Sequence, residues 1–144
     1  MKSDINIRSC RREECPAILD LWKISGSTPS ISDSLKALEL MLQRDIDLLL
    51  VAECDGRIIG TVLGGWDGWR GNIYRLAVIP EYRRRGIGSA LVREVENRLK
   101  SKGAQKNSIM VENQDELAKD FWDAMKKSDY EYDPRIIRYT KKLG

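Results

Sequence analysis

Three consecutive arginines followed by two closely spaced glycines are the residues in this chain best suited to chemistry. The run RRRGIGS at 83–89 follows an apolar strand pattern at 73–79 and opens an amphipathic helix pattern at 86–101. Glycine lets the backbone turn tightly, and the first N–H groups of a helix have no intrahelical acceptor, so they point beyond the helix end. A phosphate group suits that position. The run therefore predicts an anion-binding loop.

Other interpretations of the same run are weaker. Arginines in a row are also typical of a solvated surface cluster, and glycines of ordinary packing at a helix entry. A dinucleotide-binding fold is disfavoured because no Gly-x-Gly-x-x-Gly follows a first strand, and no Walker A sequence occurs. We favour the phosphate loop because the strand, the glycines and the helix occur together and in order.

Length and composition exclude several classes of protein. The chain has 144 residues, 42% of them apolar and 33% charged, so we expect a single globular domain over 1–144. Its 25 basic and 22 acidic residues leave a net charge of +3, which is too little to indicate a nucleic-acid or membrane partner. Three cysteines without a CxxC pair indicate neither a disulfide framework nor a cysteine zinc site.

The chain contains no histidine, and this restricts its chemistry. Ser-His and Cys-His nucleophilic pairs and most catalytic zinc sites are excluded, so we expect no metal. Carboxylates, amines, phenols or the backbone must then do the chemistry. The first thirty residues are too charged for an export signal, and no run approaches the roughly 18 apolar residues of a membrane span. We expect a cytoplasmic protein that is neither exported nor inserted.

Strand and helix patterns alternate along the chain without an internal repeat. Asp55-Gly56 between two apolar runs is typical of a tight hairpin, and Pro80 ends the strand before the arginines. The strand after the next helix is expected to lie parallel to that strand through a right-handed crossover. Ser32 or Asp33 is expected to cap the second helix. The predicted elements are strands at 4–8, 48–54, 57–63, 72–79 and 107–112, closing strands within 131–143, and helices from about 14, at 33–44, at 86–101 and at 115–127.

The residues from Leu76 to Leu91 (LAVIPEYRRRGIGSAL) resemble the acetyl-CoA signature of the GNAT superfamily of N-acetyltransferases. The core of that signature is (Arg/Gln)-x-x-Gly-x-(Gly/Ala), and the order of elements agrees along essentially the whole chain. Small single-domain bacterial and archaeal members share even the Gly-Gly-aromatic-Asp-Gly connection found at 64–68. The resemblance implies an α/β fold, the GNAT (acyl-CoA N-acyltransferase) fold, with a mixed six- to seven-stranded sheet and about four helices. It also implies acetyl-CoA as cosubstrate and direct attack of a primary amine on its thioester.

The resemblance also implies roles for individual residues. In the family, the strand before the loop bulges and splays from its parallel neighbour, so that its backbone groups pair with the pantetheine arm. A backbone N–H of that strand, which maps to Val78, donates to the oxyanion. The residues expected to bind the cosubstrate are Leu76, Ala77, Val78, Arg83, Arg84, Arg85, Gly86, Ile87, Gly88, Ser89 and Trp122.

The chain departs from the family where an acid and a base are expected. Trp122 stands where members commonly have a tyrosine in an Ala-x-x-(Phe/Leu)-Tyr pattern, and an indole N–H is no useful acid. Asn72 and Met110 stand where members carry a glutamate, and neither side chain titrates. Asp115, our catalytic candidate, also suits a helix N-cap. The carboxylates that stay open as a base acting through a water are Asp67, Glu112 and Asp115.

The acceptor amine is not encoded by any single motif. In the family, its groove is framed by the first two helices, by the connection before the signature strand and by the C-terminal hairpin. Trp22 also suits a place in the core, and Trp66 or Trp69 also suits a contact in a dimer. The carboxylate of Asp67 suits the attraction of a cationic amine. We expect a peptide or protein amine, or a small amine, and a homodimer stays open. The candidates to line the groove are Trp22, Trp66, Asp67, Trp69 and Tyr74.

Two functions of other classes stay open beside N-acetyl transfer. The residues Trp122, Asn72 and Met110, which replace titratable groups of the family, leave room for a non-catalytic acyl-CoA-binding regulatory module. The triple arginine leaves room for a nucleic-acid binder, although the small net charge disfavours it. Binding of acetyl-CoA and turnover of an amine distinguish the three.

Overall fold

A computed structural model describes residues 4–144 as a mixed α/β structure. Among these residues, five strands form one sheet in the order β1-β2-β3-β4-β5, and only the β4–β5 pair is parallel. The described residues fall into two compact units, 4–109 and 110–144, so the single domain expected from length stays a prediction. The strands are β1 Asn6–Ser9, β2 Leu49–Cys54, β3 Arg57–Trp66, β4 Gly71–Val78 and β5 Asn107–Ile109, and the α-helices are α1 Cys15–Ile24, α2 Leu35–Asp45, α3 Ile87–Lys102 and α4 Glu116–Ala124.

The β2–β3 hairpin forms where the sequence predicts it. Asp55 and Gly56 both have positive φ, 52° and 77°, which is the backbone conformation that a two-residue hairpin turn requires. β2 is the most buried strand because it lies between β1 and β3, and residues 48–52 expose none of their surface. This hairpin fixes the register of β3, against which β4 then pairs.

Helix α3 connects β4 to β5 as the predicted crossover. Its apolar stripe, with Ile87, Leu91, Val95 and Leu99, is buried, and α3 packs against β3 and β4. Gly103 at φ 117° ends the helix, because a left-handed residue there closes the last turn. Residues 79–86 join the C-terminal end of β4 to the first turn of α3, so the arginine-rich loop lies between these two elements.

The cap of α2 differs from the prediction. Ser34, rather than Ser32 or Asp33, caps the helix, and its hydroxyl accepts a hydrogen bond from the Ala37 N–H at 3.1 Å. Asp33 is instead paired with Arg75 of β4, at 2.7 Å from each carboxylate oxygen. Serine and aspartate have similar capping preference, so the tertiary ion pair decided which residue capped the helix.

The unit at 110–144 contains α4 and an irregular C-terminal segment. Closing strands within 131–143 were expected, and this expectation is wrong: no strand is assigned in that segment. The N–H groups of Ile136 and Arg135 donate to the carbonyl and the carboxylate of Asp133, which makes a local turn, and the large apolar side chains of the segment are 70–87% exposed. A strand needs a neighbouring strand for its backbone groups. The sheet therefore has five strands instead of six or seven, and β5 ends at Ile109 instead of 112.

No helix within residues 4–144 combines the length and the hydropathy needed to cross a bilayer.

Candidate functional site

A β-bulge interrupts the pairing of β3 with β4. Thr61 pairs with Ala77 and Leu63 pairs with Tyr74, so the single residue between them on β3 faces two residues on β4, Arg75 and Leu76. Arg75 lies in the left-handed region at φ 52°. For a residue with a Cβ atom, the left-handed conformation costs roughly 1 to 2 kcal/mol of free energy. Contacts with the surrounding structure therefore have to hold Arg75 in it.

The side chain of Arg75 is held by three contacts. Its Nη2 donates to both carboxylate oxygens of Asp33 at 2.7 Å, and its Nη1 donates to the Thr28 carbonyl oxygen at 2.8 Å. The guanidinium also lies 5.3 Å from the ring centre of Trp22, within cation–π distance. The bulge is therefore tied to the segment between α1 and α2, 42 to 47 residues away in sequence.

Beyond the bulge, β4 is no longer paired with β5. The parallel pairing covers Gly71 to Ile73 and stops there. The Ile79 N–H donates to the Ile59 carbonyl oxygen at 2.9 Å, so residue 79 faces β3. Backbone groups alternate sides along a strand, so the N–H groups of Leu76 and Val78 face the opposite side, where β5 pairing has ended. The strand thus has the bulge that the resemblance implies, and its pairing with β5 ends at Ile73.

The loop after β4 has the backbone conformation of an anion cradle. Arg84 and Gly86 have positive φ, 64° and 79°, with Arg85 between them, and successive N–H groups in a turn of alternating conformation form an anion-binding concavity. The Ala90 N–H donates the first helical hydrogen bond, to the Gly86 carbonyl at 3.1 Å, so helix geometry leaves the Ile87 and Gly88 N–H groups without an intrahelical acceptor. A diphosphate fits the charge and direction of these amides.

The three arginines of the loop have different roles. Arg83 is half-buried, and its Nε and Nη2 donate to the carbonyl oxygens of Val78 and Ser25 at 3.0 and 2.8 Å. Arg84 and Arg85 are exposed, and the Arg85 guanidinium lies 4.9 Å from the Tyr82 ring centre. The last two are therefore placed to reach a ligand, while Arg83 joins the loop to β4. The sequence did not distinguish them, because adjacent arginines carry no local signal of their tertiary partners.

The predicted acceptor residues do not form one cluster. Trp22 is 3% exposed and belongs to the core. Trp66, Asp67 and Trp69 lie at the β3–β4 connection, beside the first residue of β4, whereas Val78 is the last. At about 3.3 Å per residue, the two ends of β4 are about 23 Å apart. Tyr74, 40% exposed, lies between them on β4.

Asp67 has a local structural task. Its Oδ1 accepts the N–H groups of Arg70 and Trp69 at 2.7 and 2.8 Å, and these two bonds lower the pKa of the carboxyl below its ordinary value. A carboxylate with a lowered pKa is a weaker proton acceptor near neutral pH. Asp67 is thus placed as a turn residue, which makes it the least suited of the three base candidates.

The remaining candidates near the family's acid and base positions lie on separate elements. Asn72 is half-buried on β4, at the pair with β5. In the unit at 110–144, Asp115 caps α4, and its Oδ1 accepts the Ala118 N–H at 3.0 Å. Trp122 of the same unit packs edge-on against Phe121 and Tyr130, with ring centres 5.1 and 4.9 Å away. Asp115 therefore has one carboxylate oxygen in the cap and a second beyond it.

Comparison with known proteins decides the family. Residues 15–125 match the model of the acetyltransferase (GNAT) family. The chain belongs to the GNAT family. Acetyltransferase ECA0875 of Pectobacterium atrosepticum is 39% identical over 74% of this chain and 76% of its own length, and acetyltransferase SG1711 of Sodalis glossinidius is 32% identical over 96% of both. The aminoglycoside N-acetyltransferase AAC(6')-Iy, solved with CoA, shares the fold with a TM-score of 0.76 at 20% identity, covering 99% of this chain and 98% of its own.

Membership confirms the resemblance found in the sequence, the fold class and the class of enzyme. This GNAT protein is an acetyl-CoA-dependent N-acetyltransferase. The bulged strand and the loop at 83–89 are the features of its own structure that suit this activity, since they offer outward-facing amides in a row and exposed positive charge.

Proposed function

We propose that this acetyltransferase transfers the acetyl group of acetyl-CoA to a primary amine by direct attack within a ternary complex. The observation that carries the proposal is the bulge in β4, which turns the Leu76 and Val78 N–H groups away from β3 where β5 pairing has stopped. An extended amide-containing arm pairs with such an edge as an added strand. The acceptor is a peptide or protein amine, or a small amine.

In this proposal the cosubstrate lies along β4 and the loop that follows. Its linker pairs with the backbone of Leu76, Ala77 and Val78. Its diphosphate rests on the amides at 84–89, in the loop before α3 and in the first turn of that helix. The guanidinium groups of Arg84 and Arg85 add charge-assisted hydrogen bonds, because both are exposed.

The Val78 N–H is the proposed donor to the oxyanion that develops at the thioester carbonyl. The residue is held on both sides, since its carbonyl accepts from Arg83 Nε and the next N–H, of Ile79, donates to Ile59. A donor that is fixed before the reaction costs no reorganisation during it. This backbone role explains why no titratable side chain is required there.

Proton transfer is proposed to use little side-chain chemistry. Asp115 is the proposed base through a water, using the carboxylate oxygen that does not cap α4. The leaving thiolate departs without an acid, because a thiol with a pKa of about 8.5 is a tolerable leaving group. Trp122 is proposed to contact the cosubstrate through its indole, which donates a hydrogen bond but no proton.

Proteins of similar fold indicate which amines to try first. AAC(6')-Iy was solved with a bisubstrate analogue of CoA and acetylneamine, and the acetyltransferase EctA of Paenibacillus lautus with L-2,4-diaminobutyric acid and coenzyme A. Aminoglycosides and diamino acids therefore enter the first panel for this enzyme. Peptides with a free N-terminus join the panel because the sequence analysis leaves a peptide amine open as acceptor.

The test combines calorimetry with turnover. We expect coenzyme A to bind the wild-type protein, and Gly86→Val and Gly88→Val to weaken its binding at least tenfold. Gly68→Val is the matched control, because Gly68 also has positive φ, 91°, and lies in the β3–β4 connection instead. Acetyl-CoA-dependent acetylation of at least one amine of the panel is expected by mass spectrometry. Wild-type protein that is indifferent to coenzyme A contradicts the proposal.

A further inference from the structure

A buried hydroxyl lies beneath the bulge of β4. Thr61 is fully buried, and it is the one polar residue of that burial among residues 4–144. Its Oγ1 donates to the Arg75 carbonyl oxygen at 3.2 Å and accepts from Trp22 Nε1 at 2.9 Å. The directions are unambiguous, because an indole N–H only donates and a carbonyl only accepts. Trp22, Thr61 and Arg75 thus form a hydrogen-bond relay, which we call the bulge relay.

The bulge creates the need for this relay. An extra residue in a strand is left without its ladder partner, and an unpaired carbonyl away from water is costly. The carbonyl of Arg75 is such a group, and the Thr61 hydroxyl pairs with it from the neighbouring strand. Thr61 itself pairs with Ala77 of β4. The hydroxyl is therefore directly beside residues 76–78, of which Leu76 and Val78 turn their N–H groups away from β3.

The bulge relay affects the chemistry through the register of β4 against β3, which decides the direction of the Val78 N–H. Side chains and backbone groups alternate along a strand, so removing one extra residue from the pairing turns every later residue to the other side. Without the bulge, the N–H of Val78 would face β3 instead of the open side of β4. The position of the oxyanion donor therefore depends on the bulge, although the donor is three residues beyond Arg75.

We propose that Thr61 is a positioning residue for acetyl transfer: through the Arg75 carbonyl it holds the bulge that aims the Val78 N–H, and Trp22 fixes the direction of its hydroxyl. This inference rests on the proposed function for its catalytic part. Neither Thr61 nor Trp22 touches the cosubstrate, since both side chains are buried. It also gives Trp22 a task other than the lining of an acceptor groove.

Two substitutions at one position separate the hydroxyl from the packing. Thr61→Val keeps the branched shape and removes the hydroxyl, while Thr61→Ser keeps the hydroxyl and removes a methyl group. Val92→Ala on α3 is the control for lost packing, because Val92 is fully buried and is not a member of the bulge relay. The readouts are kcat and KM for acetyl-CoA with the best amine of the panel, and the backbone amide resonances of residues 76–78.

We expect Thr61→Val to lower kcat by about 10- to 100-fold and to raise KM by a smaller factor. Losses of this size are typical when a reacting group is displaced by up to about an ångström. Thr61→Ser restores kcat to within about threefold, and Val92→Ala leaves kcat unchanged. The amide resonances of 76–78 shift in Thr61→Val and return in Thr61→Ser. Should Thr61→Val fail to fold, Trp22→Phe, which removes the donor to the hydroxyl together with part of a buried ring, is expected to shift the same resonances.

Two results overturn the inference. One is a folded Thr61→Val protein with unchanged kcat and unchanged resonances at 76–78. The other is a Thr61→Ser protein as impaired as Thr61→Val, since the hydroxyl is then not the cause. Failure of the proposed function is recognised separately: wild-type protein then shows no binding of coenzyme A, and the resonances of 76–78 alone decide whether the bulge relay holds the strand.

Discussion

Arg83 Nε donates a hydrogen bond to the Val78 carbonyl oxygen at 3.0 Å, and this contact joins the arginine-rich loop to the last residue of β4. The same guanidinium donates from Nη2 to the Ser25 carbonyl oxygen at 2.8 Å, at the C-terminal end of α1. One side chain therefore sets three parts of the chain relative to one another. Two of them, the strand end and the loop, are the parts to which we assign the cosubstrate.

Replacement of Arg83 is expected to affect both stability and binding. Arg83→Lys loses the planar fork that reaches two carbonyls at once, so we expect a loss of about 1 to 2 kcal/mol in the free energy of unfolding and weaker binding of coenzyme A. Urea unfolding and calorimetry measure the two effects. Arg93→Ala, at an exposed position of α3, is the control and should change neither. Full stability in Arg83→Lys would contradict the structural role.

Replacement of Arg84 or Arg85 is expected to affect binding alone. Both side chains are exposed, so alanine should change the free energy of unfolding by less than about 0.5 kcal/mol. Each charge lost should weaken coenzyme A binding and make it less sensitive to salt, because exposed charges are screened. Calorimetry at two ionic strengths checks this. Equal affinity and an equal salt dependence in the double alanine variant would assign the diphosphate to the backbone alone.

Gly86 is required for its backbone angle and not for space. A Cβ at this position meets no atom within 4 Å, but φ is 79°. Gly86→Ala should therefore cost about 1 kcal/mol of stability and also weaken coenzyme A binding, because relaxing the angle moves the amides of α3. Gly68→Ala, also at positive φ with open space, should cost similar stability while leaving the affinity intact. Thermal unfolding and calorimetry on both variants distinguish the two effects.

The pair of Glu14 and Arg8 makes stability depend on acid. Hydrogen bonds from Arg8 at 2.7 and 2.8 Å lower the pKa of Glu14 below its ordinary value of 4.5. A lowered pKa in the folded state means that the stabilisation is complete above about pH 4.5 and is lost as the pH falls through the folded-state value. Glu14→Gln should lose about 1 to 2 kcal/mol at pH 7 and show a flatter acid limb. Urea unfolding of both proteins between pH 3 and 7 measures this pH dependence. If the free energy of unfolding falls with acid equally steeply in wild type and Glu14→Gln, the role assigned to the Glu14–Arg8 pair is refuted.

The three cysteines are expected to be unreactive in the folded protein. All are buried, and desolvation raises the pKa of Cys10 to about 12 and that of Cys15 above its ordinary value. A raised pKa keeps a thiol protonated at pH 8, and the thiolate is the reactive form. Dithionitrobenzoate should thus label almost no thiol in native protein and three in denaturant. Rapid native labelling of a full equivalent would show that one of these side chains is accessible.

Much of the fold follows from local patterns in the sequence. The Asp55-Gly56 turn and the buried stripe of α3 form as expected, since each depends on residues close in the chain. The parallel pairing of β4 with β5 also forms as expected, because the handedness of a strand-helix-strand crossover is a general rule. The strands expected within 131–143 do not form. Alternating apolar residues show that a segment can be a strand, but pairing depends on a neighbour that the segment itself does not specify.

Sequence alone determined that this protein has a glycine-containing loop between a strand and a helix, because backbone freedom at Gly86 and the start of an amphipathic helix are local properties. Only the tertiary structure decided which arginine is committed to the backbone, which residue holds left-handed φ in the bulge, and that a buried threonine supports it. Arg83, Arg75 and Thr61 each meet partners 14 to 58 residues away. Such contacts follow from the register between distant strands and from the packing of α1, which no short stretch of sequence encodes.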